Sequence, residues 1–304
     1  METGCEPPRI VAGMPMYNEE ETIGTVVTMA LRHVDEVICI DDGSSDSSAR
    51  IAEACGATVI RHRGNQGYGA ALKTLFKTMR SNDADVLVVL DSDGQHDTSD
   101  IPKLIQPILD EEADFTIGSR FIEGGEGNDM PAYRRLGIKV ITAASNLTSD
   151  LGIKDTQSGF RAFSRKAIDR LRFDADGMEL SLEMLEDAKE KQLSIQEVPT
   201  IIRYDVPKGS NFTAISHGFT VLSWALLSLS QKKPLLTLGI PGLGLLATGA
   251  AMGMNTATGF TTQIDTVLGE GLTAVWIGVL GLALITTGFI PVSYTHLRAH
   301  ETPA

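Results

Sequence analysis

Between Arg9 and about Ile201 short β-rich runs alternate with helical stretches, and that alternation restricts this part of the chain to a mostly parallel sheet covered by helices. The strand candidates are Ile10–Met14, Glu36–Ile40, Thr58–Arg61, Asp85–Leu90 and Asp114–Ile117. Helices are expected over Glu20–Arg32, Ser45–Ala54, Gly69–Arg80 and Ser99–Glu111, with Asn18 and Ser44 as N-caps. Strand–helix–strand crossovers are right-handed, so an open α/β layer structure follows. Ligands bind such sheets beyond the carboxyl ends of the strands, which makes the loops after strands the place to look for chemistry.

With 304 residues, 42% of them hydrophobic, the chain can bury one full core and still supply an appendage. A net charge of −13 excludes nucleic acid as a partner, because phosphate neutralisation needs a surplus of Lys and Arg. The same acidity suits a protein facing the cytosol, or one from a high-salt cytoplasm. Cys5, Cys39 and Cys55 are an odd set without a C-x-x-C pair, which argues against a disulfide framework and against zinc. The opening residues Met1 to Arg9 are polar, with Pro7 and Pro8, and do not read as a signal peptide. The N-terminal part is therefore expected in the cytoplasm.

The character changes after Tyr204. Residues 214–233 read as an amphipathic juxtamembrane helix, with a packed surface helix as the alternative. Leu235 to about Met254 and Gly271 to about Ile290 are uncharged, rich in Gly and Ala, and close to the ~20 residues that cross a bilayer. Two transmembrane helices within 234–291 are expected, against a pair of buried core helices. Lys232 and Lys233 before the first run, with Asp265 and Glu270 in the loop, place the domain 1–213 on the cytoplasmic side of a multi-pass cell-membrane protein. Gly239, Gly242, Gly244 and Gly249 allow packing within one chain or a homo-oligomer. Residues 292–304 break from the apolar run without turn logic and are set aside as a non-native tail resembling sequencing-adaptor read-through.

Asp91-Ser92-Asp93-Gly94-Gln95 directly follows an apolar strand and offers two carboxylates and an amide oxygen at a strand end. Hard oxygen donors at this spacing suit Mg²⁺ or Mn²⁺, with open positions for diphosphate oxygens and water; a solvated turn is the alternative. The first two strands end in similarly polar loops, Pro15-Met16-Tyr17-Asn18-Glu19 and Asp41-Asp42-Gly43-Ser44. Tyr17 can flank a base and Asp42 can accept from a base or ribose, while a helix start and an Asx turn account for the same residues structurally.

Together with Asn65-Gln66-Gly67-Tyr68-Gly69 and Gly118-Ser119-Arg120, these segments resemble the motif series of family 2 glycosyltransferases. The similarity is strongest to dolichyl-phosphate mannosyltransferases and to the archaeal dolichyl-phosphate hexosyltransferases of S-layer N-glycan assembly, and it runs from about Arg9 to Lys233. The resemblance implies a GT-A, Rossmann-like domain, a nucleotide-sugar donor such as GDP-mannose or UDP-glucose, and inversion at the anomeric carbon. It puts Pro15, Tyr17, Glu19, Ile40 and Asp42 around the nucleoside, and Asp91, Asp93 and Gln95 on the metal with Ser92 alongside. Asp93, Arg120 and Asp155 become the catalytic set, with Asp155 from Asp155-Thr156-Gln157-Ser158-Gly159-Phe160-Arg161. Arg120, Arg134 and Arg135 would grip the acceptor phosphate by forked bonds. Arg203 and Lys208 fit the loop that closes over the donor diphosphate, although their spacing is one residue short and Asn211 competes with Lys208 for the role.

The acceptor decides how much help the nucleophile needs. A sugar hydroxyl requires a carboxylate base, whereas a lipid phosphate is an anion at neutral pH. Arginines beside a membrane hairpin therefore favour dolichyl phosphate over a sugar hydroxyl, with Asp155 orienting the site. The Q-x-x-R-W segment of processive synthases is absent, so a single transfer is expected. The competing readings are a membrane-anchored transferase with a sugar acceptor and a catalytically silent sugar-nucleotide-binding scaffold.

Overall fold

The computed structural model describes residues 7–124, 138–139, 142, 152–175, 180–202, 235–258 and 272–286. The chain divides into two compact units, Met1–Leu222 and Ser223–Ala304. Arg134, Arg135, Arg203, Lys208 and Asn211, the segment 214–233 and the tail 292–304 lie outside the described residues.

The first unit is built on seven strands: β1 Ile10–Met16, β2 Glu36–Asp41, β3 Thr58–Arg61, β4 Val86–Val89, β5 Phe115–Ser119, β6 Arg161–Ser164 and β7 Ile195–Pro199. They are ordered β3-β2-β1-β4-β6-β5-β7. All pairings are parallel except those of β6, which runs antiparallel to both β4 and β5. The expected mostly parallel sheet is thus present, and β6 and β7 extend it beyond the five strands read from the pattern. β4 is uniformly buried, as a central strand covered on both faces must be.

Among the described residues, six α-helices pack around these strands: α1 Ile23–Ala30, α2 Ser48–Ala54, α3 Tyr68–Arg80, α4 Ile101–Leu109, α5 Arg165–Arg170 and α6 Leu180–Glu190. On α3, Ala71, Leu72, Leu75, Phe76 and Met79 recur at helical spacing and are all buried. Phe76 meets Phe163 of β6 and Phe173 edge-on, each at 5.0 Å between ring centroids. Full burial of each such side chain is worth about 1.5–3 kcal/mol. Gly13 lets α3 sit directly on β1, since a Cβ there would lie 2.3 Å from a Leu75 methyl. The opposite face of the sheet packs Ile23, Val27, Leu104 and Ile101 of α1 and α4 against Ala12, Met14 and Val88.

Two expectations need correction. α1 begins after Thr22 and α2 after Ser47, each about three residues later than read, so Asn18 and Ser44 are not their N-caps. Both side chains instead tie the loops after β1 and β2 together.

In the second unit, a π-helical turn at Leu235–Gly239 continues into α7, Ile240–Thr258, and a shorter apolar helix, α8, spans Leu272–Thr286. Leu235–Asn255 is long and apolar enough to cross a membrane, and it is the one such helix among the described residues. α7 and α8 touch backbone to backbone: a Cβ at Gly281 would lie 2.6 Å from the Gly242 carbonyl oxygen, and one at Gly249 2.8 Å from that of Ala274. Ile240, Leu243, Met254, Val275, Trp276 and Val279 are exposed on the outside of the pair.

Candidate active site at the carboxyl ends of the strands

β1 lies between β2 and β4, so the connections leave it in opposite directions and open a crevice beyond the strand ends. The loops after β1, β2 and β4 converge there and are cross-tied. The Asn18 N–H donates to Ser44 Oγ at 3.0 Å, and the Ser45 N–H donates to Asn18 Oδ1 at 2.8 Å. Asn18 adopts a left-handed conformation, φ 56°, to do both. The Glu19 N–H donates to Ser48 Oγ at 2.7 Å. Ser92 of the β4 loop donates to the Pro15 carbonyl at 2.9 Å, and Thr22 donates to the Ser92 carbonyl at 2.8 Å. Tyr17 stands exposed beside this lattice, while the Ile40 side chain is fully buried and can offer a ligand only its main chain.

In the β4 loop, the Gln95 N–H donates to Asp93 Oδ1 at 2.9 Å across a tight turn at Gly94, φ 77°. Asp91 is backed by Gly159, where a Cβ would stand 2.8 Å from its Oδ2. Its N–H donates to His96 Nδ1 at 3.2 Å, and the His96 ring stacks on Phe160 at 5.1 Å. Burial pushes the His96 pKa down to about 4, leaving the neutral ring that an accepting Nδ1 requires. Burial also pushes Asp91 up to about 6, against the pull of Arg161 and Arg120 and a hydrogen bond from Tyr68.

This donor set fits a hard divalent cation. Among the described residues no cluster of three or more His, Cys, Asp or Glu side chains forms a closed cage. Asp91, Asp93 and Gln95 carry oxygen donors on one short loop, the kind of partial oxygen shell that a Mg²⁺ or Mn²⁺ ion would need.

Across the crevice, Arg120 follows the end of β5 and forks onto Asp155, Nε to Oδ2 at 2.6 Å and an Nη to Oδ1 at 2.7 Å. The Arg120 N–H adds a third bond to Oδ2 at 3.1 Å. Both residues are buried, Asp155 completely. The Lys154 and Asp155 N–H groups each donate to Glu197 of β7 at 2.9 Å, which anchors the segment that carries Asp155. Arg161 lies under the same turn, donating to the Ser158 and Thr156 carbonyls at 2.8 and 3.0 Å.

Asp42 is equally engaged. Its carboxylate accepts from His62 Nδ1 at 2.7 Å, from the Gly67 N–H at 2.7 Å and from the Gln66 N–H at 3.0 and 3.1 Å. Gly67 is the N-cap residue of α3 and makes no side-chain cap of its own, so Asp42 caps that helix from the neighbouring loop. His62 and Glu197 were not legible in the sequence, because each acts on a partner 20 or more positions away.

A seven-stranded, mostly parallel α/β sheet of this order is the GT-A type of fold. The chain belongs to glycosyl transferase family 2, whose profile matches residues 12–172, and it is a glycosyltransferase. It is 33% identical over 245 residues to a UDP-N-acetylglucosamine–dolichyl-phosphate N-acetylglucosaminyltransferase of Methanococcus voltae, covering 73% of this chain and 96% of that one. It is 32% identical over 196 residues to a dolichol-phosphate mannosyltransferase of Pyrococcus furiosus, covering 61% and 54% of the two chains. Glucosyl-3-phosphoglycerate synthase from Mycobacterium tuberculosis, solved with Mn²⁺, uridine diphosphate and glucosyl-3-phosphoglycerate, shares the fold at a TM-score of 0.58 and 23% identity. That likeness covers 74% of this chain and 80% of the synthase.

Proposed function

We propose that the chain moves one hexose from a nucleoside diphosphate donor to a membrane polyprenyl phosphate such as dolichyl phosphate, with inversion. The observation that carries this reading is the commitment of both Asp155 oxygens to Arg120. That carboxylate is held as an anchor, which suits an acceptor that needs no base. A phosphate monoester, already an anion, attacks the anomeric carbon with an oxygen lone pair. The bond from that carbon to the diphosphate breaks, the diphosphate leaves with the electron pair, and no proton has to move.

In this reading Asp91, Asp93 and Gln95 hold Mg²⁺ or Mn²⁺, with Ser92 fixing their loop to Pro15. The cation supplies Lewis-acid stabilisation of the leaving diphosphate. Pro15, Tyr17, Glu19, Ile40 and Asp42 form the nucleoside side. Arg120, with Arg134 and Arg135, receives the acceptor phosphate, and Arg203 and Lys208 cover the donor diphosphate. Asp155 positions Arg120. The apolar outer faces of α7 and α8 support the reading of the second unit as a membrane hairpin. The names of the two archaeal relatives support the lipid phosphate acceptor.

Membranes carrying the protein, incubated with labelled nucleotide-sugars and dolichyl phosphate, test the proposal. Label is expected in the organic phase and is expected to vanish with Asp93→Ala. Label confined to a water-soluble product refutes the lipid acceptor.

A further inference from the structure

Building on the donor reading above, we infer that His62 is a positioning residue for the nucleoside half of the donor, acting through Asp42 rather than on the ligand. His62 follows β3 directly and is nearly enclosed, with its side chain 10% exposed. Its Nδ1–H donates to Asp42 at 2.7 Å, and its Nε2 pairs with the Thr74 hydroxyl on α3 at 2.9 Å. The ring therefore spans the gap between the β2 loop and the body of α3.

The turn 64–67 depends on this arrangement. Two of its N–H groups end on the Asp42 carboxylate. Its backbone also lies flat on Gly43, where a Cβ would meet the Gly64 main chain at 2.6 Å. Gly43 holds φ 79°, a conformation that favours glycine. Three protein donors meet the Asp42 carboxylate: His62 on one oxygen, Gly67 on the other, and the Gln66 N–H shared between the two. Asp42 thus builds the wall on which the nucleoside lies, and His62 fixes the rotation of its carboxylate. Losing the His62 bond releases the carboxylate, and with it the two N–H groups that hold the turn. Because the bond lost runs from His62 to the carboxylate that holds the turn, and not to a base, guanosine and uridine diphosphates are affected alike.

Two amide variants separate the ring's two bonds. In His62→Asn the amide NH₂ falls near Nδ1 and keeps the bond to Asp42; in His62→Gln it falls near Nε2 and loses it. Calorimetric titration of the detergent-solubilised full chain with GDP and with UDP, in Mn²⁺, reads the effect. His62→Gln is expected to weaken whichever diphosphate the wild type binds by about tenfold, the scale on which a residue orienting a ligand-facing group acts. Donor KM is expected to rise in step, with kcat and the GDP-to-UDP preference unchanged, and His62→Asn is expected to restore binding.

Wild-type binding by His62→Gln, equal loss in both variants, or a changed base preference overturns the inference. Failure of both variants to fold also overturns it, by making His62 a residue of stability alone. Failure of the donor reading itself looks different, since the wild type then binds neither diphosphate.

Discussion

Replacing Asp155 by Asn separates an anchor from a catalytic group. The carboxylate takes three N–H bonds from Arg120 alone, at 2.6, 2.7 and 3.1 Å, and is fully buried. An amide keeps one acceptor, turns an NH₂ against the guanidinium and removes the counter-charge. With the amide oxygen in the Oδ2 position one of the three bonds is lost, worth about 1.5–3 kcal/mol for a charged group. Losing the counter-charge as well brings the cost to the about 3–5 kcal/mol of breaking one side of a buried ion pair. For a unit of about 200 residues each kcal/mol is worth about 2–4 °C, so Asp155→Asn is expected to lower Tm by about 6–20 °C. The assay is thermal unfolding of the detergent-solubilised protein, paired with transfer activity. Arg120→Met with Asp155→Leu, which leaves no buried charge, is expected to recover most of the lost stability and none of the activity. A variant Asp155→Asn that melts with the wild type yet transfers no sugar refutes the reasoning, because the carboxylate would then act on the substrate.

Three further outcomes follow from close contacts and burial. Burial first, and then Asp41, raise the Cys39 thiol from 9.0 to about 12, so it is expected to resist Ellman's reagent at pH 8 until denaturant is added. The folded state holds that proton more tightly than the unfolded chain, so this contribution is complete below pH 9.0 and is lost as pH rises towards about 12, which melts across that range will show as a falling Tm. Gly159→Ala puts a methyl 2.8 Å from Asp91 Oδ2, and calorimetry with Mn²⁺ is expected to show affinity down by about tenfold or more with little change in Tm. Gly281→Ala sets a methyl 2.6 Å from the Gly242 carbonyl and is expected to cost the second unit about 1–3 kcal/mol, read as a lowered aggregation temperature in detergent. Gly244→Ala, with open space around it, is the neutral control.

The fold was legible where one strand carried its own signal. Thr58–Arg61 has the expected bounds, and β1, β2, β4 and β5 shift by one or two residues at their ends. β6 was hidden because it opens on a buried arginine and runs only four residues, Arg161–Ser164; its place is set by the two neighbours that enclose it. β7 was hidden for the opposite reason: it is an edge strand, with Gln196 exposed and Val198 its one buried residue. The helix starts moved because Asn18 and Ser44 have local sequence signatures of caps, yet bonding across the two loops captured both side chains.

The acidic residues of the site show what sequence cannot sort. Asp42, Asp91 and Asp155 all follow strands or turns, and each reads equally well as a ligand-facing group. Their partners divide them. Asp155 is closed by an arginine 35 positions away and Asp42 by a histidine 20 positions away together with a helix start. Asp91 lies against Gly159 and takes a hydrogen bond from Tyr68, and burial holds its pKa up at about 6 against the pull of Arg161 and Arg120. Protein donors hold both oxygens of Asp42 and both of Asp155. These two carboxylates keep the turn 64–67 and Arg120 in place. Which carboxylate serves as an anchor therefore follows from its partners across the fold, a property of packing that no local motif records.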